Sequence, residues 1–280
     1  MALAKYERDI LNSSKLSVTV ISLFLSTVLL SGCSVIRSSI GMMRSTDHFI
    51  AHNKDHRVLY EPGAKIFADS IVAVLPQSIR QIENRQYRHF IEPVKVYVCV
   101  SKESFYKLYG VKCKAGVSNK LLLSPSLMNE PENIHLYLTH ELSHLHLYQQ
   151  LGLLRFRDLP SWFKEGLATL VSDGGGAQTV SENEAINSIV NGTHFIPVSG
   201  SFFGCFNQKS SADKALSHHM RYRQYMIFVS FIKNKDEKNF KNFLLNIQDG
   251  VNFSESIQKS YHKTLDQLWQ GFIKNIHSKG

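Results

Sequence analysis

Hydrophobic positions recur at helical spacing over most of the chain after residue 60. The longest such run, Glu132–Leu151, is rich in leucine and contains neither glycine nor proline, so it predicts a helix. Apolar positions from Ala64 to Ile82 fit another helix, which Pro76 is expected to kink. The same reasoning predicts further helices at 101–109, 160–171, 181–190, 212–233, 236–247, 252–260 and 263–275.

Alternating, β-branched segments in the first half of the chain predict strands instead. Val94–Val100 and Ala115–Ser124 are two such segments, and His56–Tyr60 is a shorter one before them. Residues 34–55 are polar and lack periodicity, so we interpret them as a tether that leads into the domain. Strands concentrated early and helices concentrated late predict the α+β class.

The first 33 residues predict export. Lys5, Arg8 and Lys15 precede an apolar run at 16–30, which is typical of a secretory signal. The sequence Leu-Ser-Gly-Cys at 30–33 resembles the bacterial lipobox, which implies cleavage before Cys33 and acylation of its thiol. The alternative is an uncleaved anchor, because the apolar length is just enough to span a bilayer.

Either alternative places the domain outside the cytoplasm, in the cell envelope at a membrane surface. The expected partition is a signal peptide at 1–32, a lipidated cysteine and tether at 33–55, and one domain at 56–280. The chain has 280 residues, of which 43% are hydrophobic, so a domain of this size can bury a substantial core.

The formal net charge is +9, and residues 1–32 hold three basic and two acidic side chains, so the remainder carries about +8. Two interpretations stay open: attraction to anionic lipid or polymer surfaces, and an ordinary solvated basic face. No nucleic-acid-binding motif accompanies the charge, so nucleic acid is not an expected partner.

Three cysteines remain after Cys33, namely Cys99, Cys113 and Cys205, and none forms a C-x-x-C pair. A cysteine metal site is therefore not expected, whereas an exported protein could pair two of the three in a disulfide. Cys99 lies within an apolar strand pattern and is expected to be a small buried hydrophobe.

The chemistry of the chain centres on His140, Glu141 and His144, which form the pattern H-E-x-x-H within the longest predicted helix. Residues four apart share one helical face, so both imidazoles can bind one Zn²⁺ at about 2.0–2.1 Å. Glu141 lies beside that face, where it can act as general base without being a ligand. His135 and His146 lie off it and are interpreted as surface or packing histidines.

A tetrahedral zinc site needs a third protein ligand, and the helix predicted at 160–171 offers Glu165. Ser161 is its predicted N-cap. Gly166 follows Glu165 in mid-helix, where glycine costs about 1 kcal/mol relative to alanine. We expect a close crossing over the zinc-binding helix to explain this glycine.

H-E-x-x-H followed about twenty residues later by Trp-Phe-Lys-Glu-Gly-Leu-Ala at 162–168 resembles the gluzincins, the thermolysin and aminopeptidase group of zinc peptidases. More narrowly, it resembles the bacterial peptidase MA-like domains. The resemblance implies His140, His144 and Glu165 as ligands of one Zn²⁺ per chain, with Glu141 as base. It also implies a zincin-like fold, in which a small mixed sheet with an edge strand at the cleft precedes a helical half.

The chain departs from the gluzincin pattern at one position. Thermolysin-type enzymes carry an aspartate four residues after the glutamate ligand, where it orients a ligand histidine, and this chain has Thr169 there. Asp173 is the candidate substitute. Relatives also carry a tyrosine in a Y-x-Q…F-V segment, which implies that Tyr222 approaches the tetrahedral oxyanion. Tyr225 and His219 are the alternatives for that role.

The resemblance implies that the predicted strand at 115–124 binds an extended peptide substrate by backbone hydrogen bonds. It contains no acidic residue, and the G-x-M-E-N motif with which aminopeptidase relatives bind a free amine is missing from the sequence. This favours an endopeptidase. The alternatives are a metal-stabilised binding lipoprotein without activity and a zinc amidase that acts on cell-wall material. A purely structural zinc site would not need Glu141.

Overall fold

The computed structural model describes residues 44–117, 120–200 and 216–278. In this part of the chain the strands form one mixed sheet in the order β1-β2-β3-β5-β4. The three central strands are parallel, and an antiparallel strand lies at each edge. The strands are β1 Ile50–Ala51, β2 Val58–Tyr60, β3 Val96–Val98, β4 Ala115–Val117 and β5 Leu121–Leu123.

Two strand predictions need correction. The tether predicted up to residue 55 contains β1, which pairs with β2, and Phe49 just before it is buried. The single strand predicted at 115–124 is an antiparallel pair, β4 and β5, because Ala115 pairs with Leu123. Its apolar run is thus folded back on itself, which leaves β4 as the edge strand.

Nine α-helices are described, and the C-terminal ones match their predictions closely. α1 continues through Pro76 as one helix, and α3 reaches its predicted end at Gly152, whose φ of 70° interrupts it before a last short turn. The helices are α1 Lys65–Gln86, α2 Lys102–Tyr109, α3 Ile134–Asp158, α4 Ser161–Val171, α5 Glu182–Val190, α6 His218–Lys235, α7 Glu237–Gln248, α8 Phe253–Tyr261 and α9 Leu265–His277.

Local hydrogen bonds explain where several helices begin. Ser101 and Ser217 accept backbone N–H groups as N-caps of α2 and α6, and Ser181 forms a capping box with Glu184. The predicted cap at Ser161 is wrong, because Pro160 is the N-cap of α4 and Ser161 is its first helical residue.

The main hydrophobic core joins one face of the sheet to the helical half, with α1 and α3 packed together. Aromatic side chains dominate its helical part: the rings of Trp162 and Phe228 lie 5.2 Å apart in a tilted arrangement, and Trp269 and Phe272 are 7% and 1% exposed. A smaller cluster lies apart from this core and includes Cys99 and the α2 residue Phe105.

Several predictions fall outside the described residues. They include the signal segment, Cys33 and Cys205. Cys99 is buried and Cys113 exposed, and both are free thiols. Among the described helices, none has the length and hydropathy needed to cross a membrane.

Candidate metal centre and its cleft

Three predicted ligands converge where α3 meets α4. His140 and His144 lie one turn apart on α3 and are 5% and 9% exposed. Glu165 lies one turn into α4, and its carboxylate faces both imidazoles. The packing of α4 against α3 therefore brings together residues that are 21 and 25 positions apart in the sequence.

The three facing atoms form a nearly equilateral triangle. Glu165 Oε2 lies 3.2 Å from His140 Nε2 and 3.3 Å from His144 Nε2, and the two Nε2 atoms are 3.2 Å apart. A tetrahedral ion with bonds of about 2.0–2.1 Å separates its ligand atoms by about 3.3 Å. The spacing and the nitrogen and oxygen donors therefore fit a zinc ion.

A backbone carbonyl orients the first histidine. His140 Nδ1–H donates to the carbonyl oxygen of Gly175 at 2.8 Å, so in the neutral ring Nε2 is an acceptor directed at the Glu165 carboxylate. Two acceptors facing one another repel unless a cation or proton is shared between them. Burial raises the pKa of Glu165, but the two imidazoles outweigh this and hold it well below the usual range.

The prediction that Asp173 replaces the missing carboxylate is wrong. Asp173 pairs with Arg85 and accepts from Gln81, whereas the carbonyl of Gly175 binds His140. Thr169 is fully buried, and its hydroxyl contacts no hydrogen-bond partner among the described residues.

Gly176 is close-packed against the metal centre. Gly176 has a φ of 86°, and a Cβ there would lie 2.7 Å from the Tyr222 ring and 3.2 Å from that of His140. A side chain at this position would thus displace the rings that form the site.

Gly166 permits a close helix crossing, but the partner is α6 and not the predicted α3. A Cβ at Gly166 would lie 2.8 Å from the backbone oxygen of Tyr225 and 2.9 Å from Val229. Glycine lets the two helices approach at this point, and the approach carries the first turns of α6 to the metal centre.

Of the three residues considered for stabilising the oxyanion, Tyr222 is the one that contacts a predicted metal ligand. Its ring stacks on that of His140, with centroids 5.7 Å apart and planes 4° apart. Burial and the nearby Glu165 carboxylate raise its pKa well above the usual value, so the phenol remains a proton donor. Tyr225 is instead a core residue against Phe195, and His219 accepts the backbone N–H of Thr179 at the rim.

Glu141 lies beside the triangle without belonging to it. Its carboxylate receives no hydrogen bond from the described residues, and burial raises its pKa to about 7. His140 lowers that pKa and Glu165 raises it. An anion without donors is a better base than one held by hydrogen bonds.

The metal centre opens into a cleft of about 510 Å³, which is large enough for a few residues of a peptide. The edge strand β4 forms one wall. Sequence reasoning missed several further lining residues, among them Tyr109, Lys164 and His218. Lys164 directly precedes Glu165, so its position could have been noticed, whereas Tyr109 carries no local signal.

No family model matches the sequence, and no curated protein matches it. The structure of native yeast LTA4 hydrolase resembles this chain with a TM-score of 0.52 and 14% sequence identity. The match covers 80% of this chain and 38% of the hydrolase chain, so this chain spans well under half of that protein's length. The likeness shows a shared fold.

Proposed function

We propose that the chain is a zinc-dependent peptidase, and more narrowly an endopeptidase of the gluzincin type. One observation carries the proposal. The triangle of His140, His144 and Glu165 opens into the same cleft as the carboxylate of Glu141, to which no described residue donates a hydrogen bond. A metal site that only stabilised the fold would have no use for this free carboxylate. The fold shared with part of a hydrolase, yeast LTA4 hydrolase, agrees with this.

His140, His144 and Glu165 would hold the metal. When bound, zinc supplies a positive charge that polarises the peptide carbonyl and lowers the pKa of a water molecule to about 7. Glu141 accepts a proton from the attacking water as the new C–O bond forms. It then returns the proton to the amine nitrogen as the C–N bond breaks, so that the carboxylate is regenerated.

Tyr222 has a separate part in the proposal. Its phenol remains protonated and lies against His140, so it can donate a hydrogen bond to the carbonyl oxygen as negative charge develops there. The aromatic stacking on His140 and the neighbouring His218 ring, 4.1 Å away between centroids, hold the phenol in place.

The substrate class is an extended peptide bound along β4. Ala115, Gly116 and Val117 line the cleft at the sheet edge, where a peptide backbone can add a strand. Position 116 requires glycine, because the Tyr109 ring occupies the space that a side chain would fill. β4 contains no carboxylate to bind a free amine, which favours cleavage within a chain.

The test uses Glu141→Gln, which preserves shape but removes the basic carboxylate. Zinc content and cleavage of an unbiased peptide library are measured on the same preparations. We expect one zinc per chain in both proteins and cleavage in the wild type alone. Equal cleavage by both proteins would refute the mechanism.

We further propose that the enzyme acts in the cell envelope, anchored through acylated Cys33. This rests on the sequence at 30–33 and on the apolar run before it. Metabolic labelling with a fatty-acid analogue should mark the wild type and not Cys33→Ala. Retention of the label by the variant would contradict lipidation at this cysteine.

A further inference from the structure

Two lysines line the cleft, and they differ in how their charge is neutralised. Lys114 forms an ion pair with Glu130 and also donates to the Tyr137 hydroxyl. Lys164 donates one hydrogen bond, to the backbone oxygen of Phe156 at 3.1 Å, and it forms no ion pair within the ranges that the structure describes. One cleft lysine is thus paired with a carboxylate and the other is not.

Lys164 is connected to the metal centre through the ring of Phe156. Its ammonium lies 4.7 Å from the centroid of the Phe156 ring, and that ring packs against His144 at 6.4 Å. Lys164 also directly precedes Glu165 on α4. Lys164 therefore lines the same cleft as the metal centre, on the side of Phe156.

The surrounding groups hold Lys164 in place but leave its charge available. It is half-buried, and the ring and the backbone carbonyl fix its head. Burial lowers the pKa of Lys164, as does the nearby Arg157, and the carboxylates of Glu165 and Asp158 only partly offset this. Glu165 itself faces the two imidazoles. An ammonium partly removed from water is stabilised most by a carboxylate that fills its remaining donor directions.

We propose that Lys164 binds a carboxylate of the substrate and so makes the enzyme selective for peptides that carry negative charge near the cleaved bond. This rests on the proposed peptidase function and names its substrate class. The carboxylate is either an acidic side chain or a free C-terminus, and a C-terminal carboxylate would place cleavage near the end of the peptide.

The experiment uses the full-length protein, purified in detergent and loaded with zinc. Peptides blocked at both ends carry glutamate or glutamine at one position at a time, and a second set of neutral peptides has a free or amidated C-terminus. The wild type is compared with Lys164→Met, Lys164→Arg and the matched control Lys114→Met. Zinc content of each variant shows that the metal centre is intact.

We expect the wild type to favour the carboxylate by about tenfold or more in kcat/KM, as a charged hydrogen bond would give. Lys164→Met should lose this preference, while Lys164→Arg and Lys114→Met should retain it. Selectivity for glutamate identifies a side chain as the ligand, and selectivity for the free C-terminus identifies the terminal group. A wild type without preference, or a preference that survives in Lys164→Met, overturns the proposal.

A failure of the peptidase function is recognised separately. If the wild type cleaves none of the peptides, fluorescence anisotropy measures binding of the same peptides to the zinc-loaded proteins. Tighter binding of the peptides that carry the carboxylate, lost in Lys164→Met, would still support the proposed role of Lys164. Equal affinity for charged and neutral peptides, or no binding, would overturn that role.

Discussion

Two glutamates show how the surroundings of a carboxylate decide what it does. Glu61, beside the sheet, is 6% exposed and accepts hydrogen bonds from the Val100 amide at 2.7 Å, from His48 and from the Ser104 hydroxyl. Glu141, in the cleft, accepts none from the described residues. Glu61 therefore links β3, α2 and the segment before β1, whereas Glu141 is free to take up a proton.

The difference appears in the direction of each pKa. Burial raises the pKa of both carboxyl groups. At Glu61 the donated hydrogen bonds outweigh burial, so that its pKa lies below the usual value. At Glu141 burial prevails and the pKa rises to about 7. The same side chain is thus a structural anion in one region and a candidate base in the other.

The contrast between Glu141 and Glu61 is tested most directly by the same substitution at both positions. Glu141→Gln should lower peptide cleavage by about 10²–10⁴-fold with zinc retained, since general acid–base catalysis contributes on that order. Glu61→Gln is the matched control and should retain the wild-type rate constant while it is folded. Similar losses in both variants would mean that the comparison is wrong.

Glu165, the carboxylate of the metal-binding triangle, should behave differently from both Glu141 and Glu61. Glu165→Gln removes the anionic ligand, so zinc affinity should weaken by more than about 100-fold, beyond what loss of a supporting group costs. Competition with a chromogenic chelator measures the affinity. Unchanged zinc binding would exclude Glu165 as a ligand and leave two histidines alone on α3.

Substitution of Tyr222 tests whether catalysis needs a hydrogen-bond donor to the oxyanion in addition to the general base. Tyr222→Phe keeps the ring that stacks on His140 but removes the hydroxyl, so zinc should stay bound. We expect kcat to fall by less than about 100-fold, because water can partly replace an oxyanion donor. A rate equal to that of the wild type would assign the tyrosine to packing alone.

The smallest expected effect concerns the stability that Glu61 provides. Glu61→Gln places an NH₂ group opposite a donor, which should cost about 1–3 kcal/mol of unfolding free energy at neutral pH. Because the folded pKa lies below the unfolded value near 4.5, this stabilisation is complete above that pH and is lost as the pH falls through the folded value.

Urea titrations of wild type and Glu61→Gln at several pH values between about 7 and 3 measure this contribution. The difference between the two proteins should shrink as the pH falls. A difference that is constant across the range would mean that the carboxylate charge is not the source of stability.

Local patterns predicted much of the helical half. The segments at 236–247, 252–260 and 263–275 have the predicted bounds to within two residues, because amphipathic spacing and capping act within a few residues. The short strands were predicted less well. β1 has only two residues, and the apolar run that forms β4 and β5 gave no sign of its turn.

The histidines of α3 show where helical geometry was sufficient. Four-residue spacing placed His140 and His144 on one face, and His146 lies off it, buried against Phe90 with its Nε2 at 3.0 Å from the Arg88 backbone oxygen. These directions follow from 3.6 residues per turn and need no knowledge of the fold.

Contacts between distant segments could not be read from such patterns. The carbonyl of Gly175 binds His140 across 35 positions in the chain, and Tyr225 rather than α3 packs on Gly166. Helix geometry and capping are encoded within a turn or two, so residue order specifies them directly. Which backbone packs on a glycine, or which groups surround Lys164, depends on how the helices pack. That packing is decided by burial summed over the whole domain.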